Sequence, residues 1–209
     1  QNDAPYALGD GYSTAEDTTL IIPAPGIMYN DGDNDGDATT VILDKDTTNG
    51  SLILGVDGSG TYTLKLNFVG TDSFDYYVND GVLDSNIVTV VIEVTPVNDA
   101  PVANPLAFTV PNAGTSTGSV TASDIDLPAD TLTFSLLTPA TNGSVTVSPT
   151  GEYVYTHNGS ATLSDSFVFS VTDGQLTSTA TVTITVLAAP VINQSPVAIG
   201  QALTVLTGG

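Results

Sequence analysis

Cysteine and tryptophan are missing from this chain of 209 residues, and two lysines, Lys45 and Lys65, are its whole stock of permanent positive charge. Each absence excludes something. Without cysteine no disulfide can hold the fold, and no thiolate can act as nucleophile or metal ligand. A single histidine, His157, leaves a transition metal of the usual nitrogen- and sulfur-ligated kind with nothing to bind. Against the two lysines stand 23 acidic residues, a formal charge of -21, which makes nucleic acid a poor partner. No run of 18 apolar residues is present, so no membrane span is expected in this piece. No basic and apolar leader opens it, and it is expected to be mature or internal to something longer.

What is present is a chain that should fold. Charged residues make up 12% and hydrophobic residues 41%, unlike a disordered acidic tail. The length has room for two ordinary domains, and internal repetition divides it. "NDAP" recurs at 2 and 98, "TNGS" at 48 and 141, and "DSF" at 72 and 165; "VNDG" at 78 is answered by "VTDG" at 171, and "TVVIEV" at 89 by "TVTITV" at 181. Order is preserved at nearly constant spacing, which marks tandem modules. The expected division is module one at 1–97, module two at 98–190, and a linker with the truncated start of a third module at 191–209, where "SPVAIGQALTVLTGG" resembles an opening strand.

Within each module the pattern is β. "TVTITV" alternates threonine with Val182, Ile184 and Val186, a strand with one dry and one wet face. "TLIIP", "TVILD", "SLILG", "TYTLKL", "SFDYYV" and "NIVTVVIEV" read the same way, separated by Gly, Asn, Asp and Pro. No segment carries an apolar stripe at helical spacing. The expected fold is all-β: tandem immunoglobulin-like antiparallel sandwiches of about seven strands each, with Tyr62, Phe74, Tyr76, Tyr153, Phe167 and Phe169 in the cores.

The sharpest local feature is "NDGDNDGD" at 30–37, in which Asp31, Asp33, Asp35 and Asp37 crowd one loop. Two carboxylates about 4 Å apart repel by roughly 4 kcal/mol at an effective dielectric near 20, and no lysine lies close in sequence. Calcium supplies the missing charge: it takes six to eight oxygen ligands and accepts irregular geometry. The loop begins like an EF-hand, but the twelfth position from Asp31 is Ile42 where a bidentate glutamate is required. A loop-based calcium site is expected instead.

The repeats and their acidic punctuation, "EDTTL" at 16–20, "NDGDNDGD" at 30–37, "GTDSF" at 70–74, "NDG" at 79–81, "PVNDAP" at 96–101, "VTASDIDLPADTLTFSL" at 120–136 and "DSFVFSVTDG" at 165–174, resemble the cadherin-like repeats of large secreted or cell-surface bacterial adhesins. The resemblance covers both modules. It implies calcium bound where successive modules meet, and an elongated rod that stiffens with the ion. Carried over position by position, it implies a junction set of Glu16, Asp72, Asn98, Asp99, Asp124, Asp126 and Asp173. An N-terminal half-site would comprise Asn2, Asp3, Asp31, Asp33, Asp35, Asp37 and Asp80. At the far end "VINQSP" replaces "VNDAP" and "PNAGTSTG" carries no match for "AED", so little or no calcium is expected near 190–196.

The expected function is therefore a calcium-stiffened spacer of a secreted or bacterial-surface adhesin, with neighbouring modules of the same chain as partners. Two alternatives stay open: a carbohydrate-binding module contacting surface glycans, and a filament subunit self-associating through "ALTVLT". Asp57 and Asp84 read as ordinary turn residues and His157 as a surface residue. An enzyme is not expected, because the lone histidine has no recognisable partner for nucleophilic catalysis.

Overall fold

A computed structural model describes residues 2–126 and 131–189. The chain forms two compact units that part between Asp99 and Ala100. The proposed opening strand at 195–209 lies outside the described residues.

Module one is a sandwich of two sheets. The first has the order β1–β7–β6–β3, from Gly11–Ala15, Val88–Thr95, Gly70–Asn79 and Thr40–Lys45; the second is β2–β5–β4, from Leu20–Ile22, Gly60–Leu64 and Gly50–Leu54. Alternation fixes which side chains meet. In β6, Asp72, Phe74, Tyr76 and Val78 point inward, and Val90, Ile92 and Val94 of β7 meet them from the same sheet. Tyr62 of β5 closes the core from the second sheet.

β1 departs from the antiparallel pattern. It runs parallel to β7, Gly11 to Ala15 opposite Val91 to Thr95. "GYSTA" has too little apolar character to announce a strand, and it is held by the edge it extends. Its two ends matter for function: it starts just after Asp10 and stops just before Glu16.

Module two repeats the plan. One sheet is β12–β15–β16–β9, from Thr133–Thr138, Ser164–Thr172, Thr177–Leu187 and Leu106–Pro111, with β9 parallel to β16 as β1 is to β7. The other face carries β10–β14–β13, from Thr115–Ser119, Glu152–His157 and Gly143–Val147, while the short β8 and β11, Val102–Asn104 and Thr121–Ser123, pair with each other. The six expected core aromatics are all buried, and Val182, Ile184 and Val186 are at most 2% exposed.

His157 is not a surface residue. It is 2% exposed, because the end of β14 tucks beneath the turn that follows β9.

Candidate functional site

The acidic residues gather at the two ends of β1. At its start, Tyr6 and Gly32 exchange backbone hydrogen bonds of 2.8 and 3.1 Å and bring the 30–37 loop against the N-terminal segment. A Cβ at Gly32 would lie 2.7 Å from the Tyr6 hydroxyl oxygen, so a larger residue there would have to displace the exposed Tyr6 ring. Asp31 accepts the Leu8 N–H at 2.8 Å, Asp3 donates its N–H to Asp35, and Asn2 donates to Asp80 at 2.9 Å. The structure thus links Asn2 with Asp80, Asp3 with Asp35, and groups carboxylate oxygens of Asp33, Asp35 and Asp37 within 4.8 Å of one another.

One hydroxyl stands among many acceptors there. Tyr76 Oη lies 2.8 Å from Ile27 O, 2.9 Å from Asp31, 3.2 Å from Leu8 O and 3.4 Å from Asp10, yet it has a single hydrogen to donate. Burial raises the pKa of Asp10, and the Asp31 charge raises it further; burial also lifts Asp31, against the bonds from Leu8 and Tyr76. Asp80 behaves oppositely. Hydrogen bonds from the Leu83 N–H, Asn2 and the Val82 N–H hold it below the ordinary carboxylate range.

At the far end of β1 lies a second cluster, Glu16, Asp17 and Asp99, again with carboxylate oxygens within 4.8 Å of one another. Its frame is backbone. Glu16 N–H donates to Thr95 O at 2.9 Å, its carboxylate accepts the Val97 N–H at 2.8 Å, and the residue is 4% exposed. Asp17 follows at φ 56°, a left-handed conformation that aspartate tolerates better than most residues. It accepts the Asn67 N–H at 3.0 Å, while the Asn67 amide donates to Asp99 at 3.1 Å. Asp17 and Asn67 were missed from sequence. "AED" holds Asp17 in plain view, but Asn67 is 50 residues away and meets the cluster only through the fold.

Asp72, expected beside Glu16, has other work. Its carboxylate takes Thr48 N at 3.1 Å, Thr48 Oγ1 at 3.1 Å, Asn49 N at 2.8 Å, Ser73 N at 2.9 Å and Tyr62 Oη at 2.6 Å. Burial raises its pKa, but the bonds from Tyr62, Asn49, Thr48 and Ser73 outweigh that and leave it lowered. Module two repeats the bracket at Asp165, with Thr141 N at 3.1 Å, Asn142 N at 2.9 Å, Tyr155 Oη at 2.9 Å and Ser166 N at 2.9 Å. "TNGS", "DSF" and the tyrosine recur together because they are one bonded unit.

The ligands expected in module two are Asp124, Asp126 and Asp173. Asp124 accepts the Asp126 N–H at 3.0 Å, as Asp33 accepts the Asp35 N–H at 2.7 Å, so by its bonding Asp33 is the counterpart of Asp124. Asp173 caps its turn through the Gln175 and Leu176 N–H groups at 2.6 and 2.7 Å, as Asp80 caps Val82 and Leu83.

Calcium fits these donors on a specific observation. The second carboxylate oxygens of Asp33 and Asp124, together with Asn30 Oδ1, are buried with no hydrogen-bond partner among the described residues. A buried oxygen without a donor is costly. The same lone pairs at equivalent positions of two modules suit a hard cation that takes oxygen alone. Residues of the set would hold the ion directly; the ion would supply charge compensation.

Two stretches, residues 2–96 and 98–188, match the family model of the bacterial cadherin-like domain. No curated protein matches the sequence. Among solved structures, a two-repeat fragment of human protocadherin-24 (EC1-2) aligns over 91% of this chain and all of its own, at 16% identity and a TM-score of 0.58. A second crystal form of that fragment aligns at a TM-score of 0.55 with 16% identity, covering 90% of this chain and 100% of its own. An endo-fucoidan hydrolase of glycoside hydrolase family 107 aligns over 90% of this chain at 18% identity and a TM-score of 0.36, and this chain spans 28% of its length. At that score it carries no weight for activity, whereas the family match takes in most of the chain. Through both of its modules, the chain belongs to the bacterial cadherin-like domain family.

Proposed function

We propose that the two modules are calcium-binding spacers of a secreted or surface adhesin, the ion joining module one to module two. Cadherin-like domains are extracellular and generally bind calcium, which supports the reading. The observation that carries it is the Glu16, Asp17 and Asp99 cluster, with Asn98 beside it, in a chain whose Lys65 is committed to Thr48 O at 2.7 Å. In this reading those four residues and Asp124, Asp126 and Asp173 are the ligands, and Asp72 is kept for its turn. Asn2, Asp3, Asp31, Asp33, Asp35, Asp37 and Asp80 form the corresponding half-site of module one. An ion at tenfold its Kd stabilises the bound state by about 1.4 kcal/mol, and extracellular modules bind with Kd around 10⁻⁴ to 10⁻³ M.

The role is binding and spacing rather than catalysis, since His157 is buried with both ring nitrogens occupied. Stripped of metal, the chain should give heat on calcium titration, melt higher and lengthen in X-ray scattering. Absence of heat with unchanged melting would refute calcium binding; heat with unchanged particle length would refute the spacer role alone. A glycan-binding reading has one observation in its favour. Tyr29 is 84% exposed beside the acidic loop, but of the other tyrosines only Tyr6, at 43%, is also exposed, and no stacking platform results.

A further inference from the structure

The single histidine is built into module two in a way that ties the fold to one charge state of its ring. The Nδ1 of His157 accepts two backbone hydrogen bonds, from Ala113 N at 3.2 Å and Gly159 N at 3.3 Å, and the backbone N–H of His157 donates to Gly114 O at 2.9 Å. On the other side, Nε2 lies 3.3 Å from Thr162 Oγ1 and 3.4 Å from Ser160 Oγ. An Nδ1 that accepts twice carries no proton, so the ring is neutral with its hydrogen on Nε2, directed at the two hydroxyls.

These bonds join three segments: the turn after β9, the end of β14 and the loop at 158–163. Asn112 reinforces the junction by donating to Ser160 O at 2.6 Å. The loop and turn in turn hold the end of β16, through Val186 N to Leu163 O at 2.8 Å and Asn112 N to Leu187 O at 3.1 Å. Among the described residues no carboxylate is hydrogen-bonded to the ring. Its ring partners are Ala113 from the turn and Gly159, Ser160 and Thr162 from the loop, while its backbone pairs with Gly114 and, across the register, with Gly143 of β13. The acid on β15, Asp165, is engaged by Thr141, Asn142, Tyr155 and Ser166.

We propose that His157 is a proton-sensitive latch: its neutral ring closes the end of module two, and protonation opens that end. A second ring proton would sit on Nδ1 and point at two N–H donors, with no carboxylate among the ring's hydrogen-bond partners to compensate. Both backbone donors would lose their acceptor inside the fold. This regulation is independent of calcium, so it stands or falls apart from the spacer reading.

One histidine gives one imidazole signal, which makes the test direct. In chelator, heteronuclear NMR of the intact chain should show the Nε2–H tautomer. From about pH 7.5 to about pH 5 melting of module two should fall by at least about 5 °C, with the Ala113 and Gly159 amide signals moving as that end opens. His157→Gln should melt lower at neutral pH and lose that acid dependence. A ring that titrates smoothly near the free-imidazole value of about 6.5, with the Ala113 and Gly159 amide signals unmoved, would overturn the proposal. So would an acid dependence in His157→Gln equal to that of the parent chain. Should the variant fail to fold, the tautomer and titration of the parent chain decide alone.

Discussion

Replacing Asp72 by asparagine separates a turn-holding carboxylate from a calcium ligand, because the two roles predict losses under opposite conditions. The carboxylate has three donors on Oδ1 and two on Oδ2. A carboxamide keeps one acceptor oxygen. Left on Thr48 and Ser73, it turns its NH2 toward the Asn49 N–H and the Tyr62 hydroxyl. The hydroxyl can rotate and accept; the backbone N–H cannot. One buried unsatisfied donor costs about 1–3 kcal/mol, and the three remaining bonds lose their charge assistance, worth about 1 kcal/mol more. A loss of about 3 kcal/mol at roughly 4–8 °C per kcal/mol for a domain of this size lowers melting of module one by on the order of 15 °C. Differential scanning calorimetry in chelator measures it, with module two as internal reference. A shift below about 2 °C would refute the bracket, and a loss seen only with calcium present would return Asp72 to the ligand set. The pH sign follows from the lowered pKa: the charged form is favoured in the fold, so this share of stability is held above about pH 4 and lost as acidity passes the folded value.

Three further outcomes are expected. Asp10→Asn should raise melting of module one at neutral pH in chelator, because it removes a charge from beside Asp31; since the pKa values of Asp10 and Asp31 are raised in the fold, their penalty is absent below the unfolded value of about 4 and grows as pH rises, so the gain should fade in acid. Glu16→Gln should weaken calcium binding measured by calorimetric titration at least about tenfold while costing little melting temperature in chelator, since the amide oxygen can still accept the Val97 N–H. Ala113→Gly should stabilise module two by about 0.5–1 kcal/mol in chemical denaturation, because alanine at φ 57° bears a left-handed penalty that glycine does not, partly offset by the freer unfolded chain.

How much of this was legible beforehand depends on how local each cause is. Strands were legible because a dry face shows as period two: Phe74, Tyr76 and Val78 announce themselves, and all are buried. β1 was not, since "GYSTA" is made a strand by the parallel edge of β7 rather than by its own pattern. The acidic loop was visible as a run of like charges. Which oxygens lack partners there depends on turn geometry, and composition does not encode it. Asp72 matches a ligand position of its motif, whereas four of its five donors come from "TNGS" and from Tyr62, more than twenty and ten residues back, and the fifth is the N–H of Ser73 next to it. His157 misled for the same reason: "YTHNGS" looks polar, but the turn after β9 and the loop at 158–163 enclose the ring.

The same frame carries opposite chemistry at the ends of β1 and β9. Glu16 N donates to Thr95 O as Asn112 N donates to Leu187 O, and the next residues, Asp17 and Ala113, share φ values of 56° and 57°. Because the backbone bond to the neighbouring strand recurs in both turns while the side-chain bonds differ, the side chains can change without loss of the sandwich. Module one places two acids there beside Asp99; module two places Asn112 and Ala113 and fills the space with a neutral ring. A cation would gain nothing from the second arrangement, whose polar groups are already paired with one another. Ala113→Asp with Asn112→Glu should therefore leave the turn intact, because aspartate suits the left-handed position and the backbone bond to Leu187 O is unaffected. Yet it should not by itself create a calcium site of the strength proposed for module one, since the acid corresponding to Asp99 is missing from "VINQSP". Calorimetric titration of that double variant, read against the parent chain, decides the point: an added site as tight as the first would show that two carboxylates suffice and that the linker acid is dispensable.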